Sequence, residues 1–167
     1  MACAVGPEAA LASDGAFLGG LWRPDSCFLI ACDMNNHLRI LAIEDETAVA
    51  QLLALVLCGP TSKVTNASNG EEALAKIVAA SRPFDIVITD HSMPRMTGLE
   101  LVRELRARDF GGKIAVLSAH LTQDNAQAYA ELNVDLMLTK PFDVDELRHA
   151  IDVLAKEVPM FAERSSV

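Results

Sequence analysis

Short apolar stretches alternate with helical patterns along the chain, beginning at Leu38. Most of these stretches are rich in β-branched or aliphatic residues, which is typical of buried strands. They predict five strands, at residues 38–43, 63–67, 86–89, 114–117 and 136–138. Residues 1–36 hold Gly, Ala, Pro and Ser without sustained periodicity, so the regular pattern starts only after them.

Helical patterns fill the gaps between the predicted strands. Apolar residues recur at helical spacing, on one helix face, in two segments; they are Val49, Leu52, Leu53 and Val56 in the first and Leu147, Ile151 and Leu154 in the last. Thr97 with Glu100 has the spacing of a capping box, and Asp143 begins a second one. Segment 122–133 holds mostly alanine and polar residues and a single Tyr129, so we expect it to be the least firmly packed helix.

This alternation predicts the fold class. Five strands and five helices joined by short connections favour a parallel sheet covered by helices on both faces, which is an α/β fold. With 167 residues, 51% of them hydrophobic but only 5% aromatic, the chain can build the core of one domain from Leu, Ile, Val and Ala. In such sheets the functional crevice lies outside the carboxyl ends of the strands.

The charge of the chain argues against one class of function. It has 23 acidic and 14 basic residues, a formal charge of −9, and no Lys or Arg cluster that could follow a phosphate backbone. Direct nucleic-acid binding is therefore not expected. No stretch approaches the roughly 20 apolar residues of a membrane span, and the N-terminus lacks the basic segment of a secretory signal. We expect a cytoplasmic protein that does not enter a membrane.

The four cysteines, Cys3, Cys27, Cys32 and Cys58, form no C-x-x-C pair and are interpreted as reduced thiols. A zinc site at Cys27, Cys32 and His37 lacks a fourth ligand and is disfavoured.

The pattern divides the chain into three parts. Residues 37–158 hold every predicted strand and helix and form the domain. Residues 1–36 are an N-terminal extension of unknown role, either disordered or an over-extended start assignment, because Met34 stands just before the first strand. Residues 159–167 are a short C-terminal tail, so we expect no attached output domain.

Polar residues of a particular kind stand at the carboxyl ends of the predicted strands. They are Glu44 and Asp45 after the first strand, Asp90 after the third, Ser118 after the fourth and Lys140 after the fifth. Neighbouring carboxylates repel each other and need a raised pKa or a cation, and Mg²⁺ with oxygen ligands fits best. Lys140 adds a second positive charge and Ser118 a hydroxyl donor. This set favours phosphoryl transfer, with Asp90 as the nucleophile that becomes an acyl phosphate.

From Leu38 to Glu157 the chain resembles the receiver domain of two-component response regulators, of the single-domain, chemotaxis-regulator type. The resemblance rests on five segments in the right order: "ILAIEDE", "NGEEAL", "DIVITDHSMPRMTG", "IAVLSAH" and "LTKPF". It implies a flavodoxin-like (βα)5 three-layer sandwich whose five parallel strands are ordered 2-1-3-4-5.

The resemblance also implies the roles of individual residues at the phosphorylation site. Asp90 is the phosphoacceptor, and Glu44, Asp45 and Asp90 hold Mg²⁺ together with the backbone carbonyl of Ser92. Glu44 stands where aspartate is common in the family, and its longer side chain is expected to reach the metal through water.

Two further residues are implied to act on the phosphoryl group. Ser118 is the hydroxyl residue that follows it on activation, and Lys140 pairs with its oxygens, next to a cis bond to Pro141. The small Ala119 leaves the pocket open. Met137 departs from the family pattern, because many members have Tyr or Phe there and methionine offers no hydroxyl to switch. The usual aromatic readout is therefore in question.

The leading interpretation is a stand-alone receiver that takes a phosphoryl group, with Mg²⁺, from a phosphohistidine on a sensor histidine kinase or a histidine phosphotransfer protein. The resemblance implies a protein partner bound through the fourth helix, fifth strand and fifth helix, and no enzymatic activity beyond self-phosphorylation from small donors and autodephosphorylation. One alternative is a constitutive adaptor, which Met137 favours. Another is a phosphatase-type enzyme using an aspartyl phosphate, which is disfavoured because Ser92 stands where a second acid would be needed.

Four residues near the site or the core have simpler interpretations. His91 and His120 either steer water at the acyl phosphate or are incidental loop residues, and we favour the second interpretation. Tyr129 is either an exposed contact on the fourth helix or packs against the fifth strand. Phe142 is expected in the core.

Overall fold

The computed structural model describes residues 37–119 and 121–158, along which five strands and five helices alternate. The strands are β1 Leu38–Ile43, β2 Ser62–Ala67, β3 Ile86–Asp90, β4 Lys113–Ser118 and β5 Leu136–Thr139. The helices are α1 Thr47–Leu57, α2 Gly70–Ala79, α3 Gly98–Ala107, α4 Gln123–Glu131 and α5 Val144–Glu157. Each predicted strand is confirmed to within one residue at each end.

The strands form one parallel sheet in the order β2-β1-β3-β4-β5, which confirms the implied topology. β3 lies at the centre and is buried along its whole length. Asp90 is in register with Leu117, and Ser118 is in register with Thr139. The carboxyl ends of β3, β4 and β5 therefore meet at one edge of the sheet.

Helices cover both faces of the sheet and make the three layers. Because successive side chains of a strand point to opposite faces, Ile40 and Leu41 belong to different core clusters. Ile40 packs in the cluster that includes Leu53 of α1 and Leu147 of α5. Leu41 packs in the cluster that includes Leu101 of α3. Each of these side chains is fully buried, which stabilises the fold by about 2 kcal/mol per residue relative to exposure.

The first predicted capping box is present in full, whereas the second shows the Asp143 cap without the reciprocal bond from Glu146. At α3, the Thr97 hydroxyl accepts the N–H of Glu100 and the Glu100 carboxylate accepts the N–H of Thr97, so the capping box is confirmed. At α5, one Asp143 oxygen accepts the N–H groups of Asp145 and Glu146. Both caps satisfy backbone donors that have no partner inside the helix.

The predicted apolar faces agree with the structure in α5 and only in part in α1. The three α5 residues are buried. In α1, Leu53 is fully buried but Leu52 is 38% exposed. Leu52 projects towards the loops after β4 and β5, where it lines a cavity with Ala119, Pro141 and Phe142. Phe142 itself is half-buried and packs against the core on the α1 and α5 side.

Several predictions concern residues that the structure does not describe. They involve the N-terminal extension 1–36, the C-terminal tail 159–167, and Cys3, Cys27, Cys32, Met34 and His120. The zinc alternative falls among these, because two of its ligands do. Cys58, which is described, is an exposed free thiol. Of the helices in 37–119 and 121–158, none has both the length and the apolar content to cross a membrane.

Candidate functional site

The sheet brings the predicted polar residues together at its carboxyl edge. β1 and β4 lie on either side of β3, and β5 lies beyond β4, so the residues that end these strands become neighbours. Glu44, Asp90 and Ser118 are buried there, at 4%, 6% and 1% exposure, while Asp45 is exposed. A buried polar cluster at a strand edge is the arrangement expected of a binding crevice in a parallel sheet.

Both carboxylate oxygens of Asp90 have a defined partner. Oδ2 accepts the backbone N–H of Ser92 at 2.8 Å, and Oδ1 lies 2.7 Å from Lys140 Nζ. The carboxylate is thus oriented by the loop that follows β3 and by the residue that follows β5. The contact places Ser92 at the site, while binding of a metal by its carbonyl stays a prediction.

Lys140 links two acids that come from different strands. Its Nζ lies 2.6 Å from Glu44 Oε2 as well as 2.7 Å from Asp90 Oδ1. Its backbone N–H donates to the carbonyl of Ser118 at 2.7 Å, and the bond to Pro141 is cis, as predicted. Burial alone would lower the pKa of Lys140, but the bonds to Asp90 and Glu44 outweigh burial and raise that pKa above 10.5.

The site holds more negative than positive charge. One oxygen each from Glu44, Asp45 and Asp90 lies within 4.8 Å of the others. With Lys140 the cluster has three carboxylates and one ammonium, a formal charge of −2. Burial raises the pKa of Glu44 above its ordinary 4.5, and the contact with Lys140 offsets this only in part. Oxygen donors in this number and with this charge fit a hard divalent cation such as Mg²⁺.

Gly98 is a site residue that the sequence analysis did not identify. A Cβ at this position would lie 2.2 Å from the carbonyl oxygen of Asp90, and the N–H of Gly98 donates to the carbonyl of His91 at 3.0 Å. A side chain would push the chain away from Asp90, so glycine is required for this turn. The sequence feature that could have identified it is its place directly after the capping Thr97.

His91 makes more contacts than the incidental loop residue that we expected, because both of its ring nitrogens face residues of α4. Its Nδ1 lies 2.7 Å from the Tyr129 hydroxyl, and its Nε2 lies 3.1 Å from Asn125 Nδ2. The rings of His91 and Tyr129 meet edge to face with centroids 5.7 Å apart. Tyr129 is fully buried, so of its two interpretations the exposed contact is wrong. Sequence patterns gave no sign of this contact, because 38 residues separate the two rings.

Met137 of β5, which stands where many family members have an aromatic residue, lies near Tyr129. It is in register with Val116 of β4, is half-buried, and packs against the core cluster that contains Tyr129. The aromatic hydroxyl that β5 lacks is thus present on α4, in the same cluster, at Tyr129.

Comparisons with known proteins agree on one family. The family model for the response regulator receiver domain matches residues 40–152. The chain is 38% identical over 109 residues to a response regulator receiver protein of Anaeromyxobacter, a match that covers 65% of this chain and 45% of that protein. It is 32% identical over 113 residues to sporulation initiation phosphotransferase F of Bacillus subtilis, covering 68% of this chain and 90% of that protein.

A solved structure gives the same result. The receiver domain of a Francisella response regulator superimposes with a TM-score of 0.66 at 28% identity, covering 72% of this chain and 98% of that chain. The match therefore spans a whole receiver domain in that structure and in the Bacillus relative, and about half the length of the Anaeromyxobacter relative.

Proposed function

The chain belongs to the response regulator receiver family, whose members are phosphoacceptors, and we propose that it accepts a phosphoryl group on Asp90 from a phosphohistidine and signals through a protein partner. The observation that carries this proposal is the setting of Asp90. Its carboxylate is held by the Ser92 N–H and by Lys140, inside a cluster with a formal charge of −2.

The reaction needs in-line positioning and positive charge against the phosphoryl oxygens. One carboxylate oxygen of Asp90 forms a bond to phosphorus, while the bond from phosphorus to the imidazole nitrogen of the donor breaks and its electron pair stays on that nitrogen. Lys140 lies 2.7 Å from Asp90 Oδ1, within reach of a phosphoryl group on that carboxylate. Ser118, at the end of the neighbouring strand, is proposed to donate its hydroxyl to a phosphoryl oxygen.

Glu44, Asp45 and Asp90, with the Ser92 carbonyl, are the residues proposed to hold Mg²⁺. When bound, the ion supplies positive charge against the phosphoryl oxygens. Glu44 already contacts Lys140, so it offers its second oxygen, directly or through water.

The partners are proposed from family membership. The donor is a sensor histidine kinase or a histidine phosphotransfer protein, and the output partner binds the face formed by α4, β5 and α5. Residues 37–158 are the proposed receiver domain, with 1–36 and 159–167 not required for phosphorylation. A chain that starts at Met34 should take up the phosphoryl group as the full chain does, and failure to do so would contradict this assignment.

Intact-mass spectrometry after incubation with acetyl phosphate and Mg²⁺ tests the phosphorylation itself. We expect a single phosphoryl adduct that disappears when Mg²⁺ is removed by a chelator. Asp152→Asn removes an exposed acid of α5. It is the matched control for Asp90→Asn and should keep the adduct. An adduct that forms equally well without any divalent ion would contradict the proposed metal role.

A constitutive adaptor is the second candidate, and Met137 favours it because β5 has no aromatic hydroxyl to move on activation. The two candidates differ in one measurable property. A phosphorylation-controlled receiver binds its output partner more tightly when beryllium fluoride occupies the site, whereas an adaptor binds that partner equally in both states.

A further inference from the structure

α4 is attached to the rest of the domain by polar contacts from two residues, Arg106 and His91. At its C-terminal end, Arg106 of α3 donates to the carbonyls of Leu132 and Asn133, at 2.9 Å and 2.6 Å. Further towards its N-terminus, His91 contacts Asn125 and Tyr129. Tyr129 is the only buried residue of the helix, which is fully described, and the half-buried Leu121 and Leu132 just outside the helix pack against the same core cluster. The polar contacts therefore act together with this apolar packing to hold α4 against the domain.

The contacts with Asn125 and Tyr129 come from the residue next to the phosphoacceptor. His91 directly follows Asp90, and each of its ring nitrogens faces a different residue of α4. Asn125 and Tyr129 are four positions apart and so lie on one face of the helix. One imidazole thus holds a full helical turn.

The backbone of His91 cannot move independently of the site. Its N–H donates to the carbonyl of Leu117 at 2.9 Å, and its carbonyl accepts the N–H of Gly98 at 3.0 Å. A Cβ at Gly98 would clash with the Asp90 carbonyl, so the turn is tightly packed. A change in the peptide between Asp90 and His91 would therefore be passed to the imidazole ring.

The hydroxyl of Tyr129 also lies in the electric field of Asp90. Burial raises the pKa of Tyr129, and the negative charge of Asp90 raises it further. Phosphorylation replaces that carboxylate with a group of greater negative charge and larger size. Both the ring position of His91 and the field at Tyr129 would then change together.

We propose that His91, through Tyr129 and Asn125, couples the state of Asp90 to the position of α4. This coupling rests on the proposed phosphorylation of Asp90. It places the readout on α4, in a receiver whose β5 carries Met137 instead of an aromatic residue. A ligand shifts such an equilibrium only through contacts that differ between the two states, and the His91 contacts connect the site to the helix.

Amide NMR spectra of the full-length chain, recorded with and without beryllium fluoride and Mg²⁺, test the coupling. In the wild type we expect shift changes at residues around Asp90 and at residues of α4. Tyr129→Phe keeps the buried ring and removes only the hydroxyl. In this variant the changes near Asp90 should persist, and most of the change in α4 should be lost. Gln127→Ala, on the exposed side of α4, is the matched control and should respond like the wild type.

A second variant protects the test against a folding defect in the first. Asn125→Ala removes the other His91 contact at a half-buried position, and it should likewise reduce the α4 response. Equal α4 responses in the wild type and both variants would overturn the coupling while leaving phosphorylation intact. No response anywhere in the wild type would instead overturn the proposed function, and the coupling with it.

Discussion

The central strand β3 has a buried acid at each end, and the two acids have different surroundings. Asp85, directly before β3, is fully buried, and its Oδ2 accepts the N–H of Arg39 at 2.8 Å and lies 3.9 Å from Arg82. Asp90, at the other end, shares one lysine with a second buried acid and lies near an exposed third. Burial of a carboxylate is common to both places, so burial alone does not identify the functional one.

The balance of charge distinguishes the two ends of β3. At the amino end, the carboxylate accepts a backbone N–H from β1 and has a guanidinium nearby, which is the arrangement expected of a buried acid that fixes the fold. At the carboxyl end, three carboxylates lie together and one ammonium pairs with two of them, so the negative charge exceeds the positive charge. A buried acid with excess negative charge around it is the better candidate for binding a cation and a phosphoryl group.

The largest difference between the two acids should be chemical. Asp90→Asn removes the nucleophilic carboxylate, so we expect complete loss of the phosphoryl adduct by intact-mass spectrometry with acetyl phosphate and Mg²⁺. Asp85→Asn should keep the adduct wherever it remains folded, which circular dichroism can establish in the same sample. An adduct on the Asp90→Asn chain would show that a different residue is the acceptor.

The next effect concerns the free energy of unfolding, and we expect it at the amino end of β3, at Asp85. Asp85→Ala leaves Arg82 and the N–H of Arg39 without their carboxylate, and should lower the free energy of unfolding by about 3 kcal/mol. Urea denaturation measures the change. Asp152→Ala, at an exposed acid of α5, is the control and should stay within about 0.5 kcal/mol of the wild type. If Asp85→Ala lowered the free energy of unfolding no more than Asp152→Ala does, the structural role assigned to Asp85 would be contradicted.

A smaller effect of opposite sign is expected at the carboxyl end. Asp45 is exposed and adds a third negative charge within 4.8 Å of Glu44 and Asp90. Without divalent ions, Asp45→Asn should therefore raise the free energy of unfolding, by up to about 1 kcal/mol. Mg²⁺ should stabilise the wild type against urea and stabilise the variant much less. Equal stabilisation of both chains by Mg²⁺ would argue against Asp45 as a ligand.

The smallest effect should come from an acid that is paired but not buried. Glu72 contacts Lys76 and Ser68 while its side chain is 40% exposed, and these contacts lower its pKa to about 2. A lowered pKa gives stability that is present above pH 4.5 and lost as the pH falls towards 2. Because solvent screens the pair, Glu72→Gln should cost less than about 1 kcal/mol at pH 7.

The pH dependence of the Glu72→Gln variant gives the check. Urea denaturation at several pH values should show the stability difference from the wild type shrinking between pH 4.5 and pH 2. If Glu72→Gln lowered the free energy of unfolding at pH 7 as much as Asp85→Ala does, then pairing, rather than burial, would decide how much these acids contribute to stability.

The sequence allowed the strands and most of the residues at the carboxyl edge of the sheet to be predicted, because local patterns encode them, while the strand order followed from the family resemblance. The five strands follow from runs of aliphatic residues, and Glu44, Asp90 and Lys140 follow from polar residues that interrupt those runs. Parallel pairing then brings the strand ends together without further information.

Contacts between distant residues could not be predicted in this way. The bond between His91 and Tyr129 joins two positions with no shared motif, and it depends on how α4 packs. The exposure of Leu52 likewise depends on where the loops after β4 and β5 lie. Periodicity identifies the face of a helix, but tertiary packing decides which of its residues are covered.

Locating the acyl phosphate tests the central claim most directly. Borohydride reduces an aspartyl phosphate to homoserine, so the chain would be treated with acetyl phosphate and Mg²⁺, reduced, digested and sequenced by mass spectrometry. We predict homoserine at position 90 and an unmodified Asp85 in the same peptide. Reduction at Asp45 or another acid, with Asp90 unmodified, would contradict the assignment of Asp90 as the phosphoacceptor.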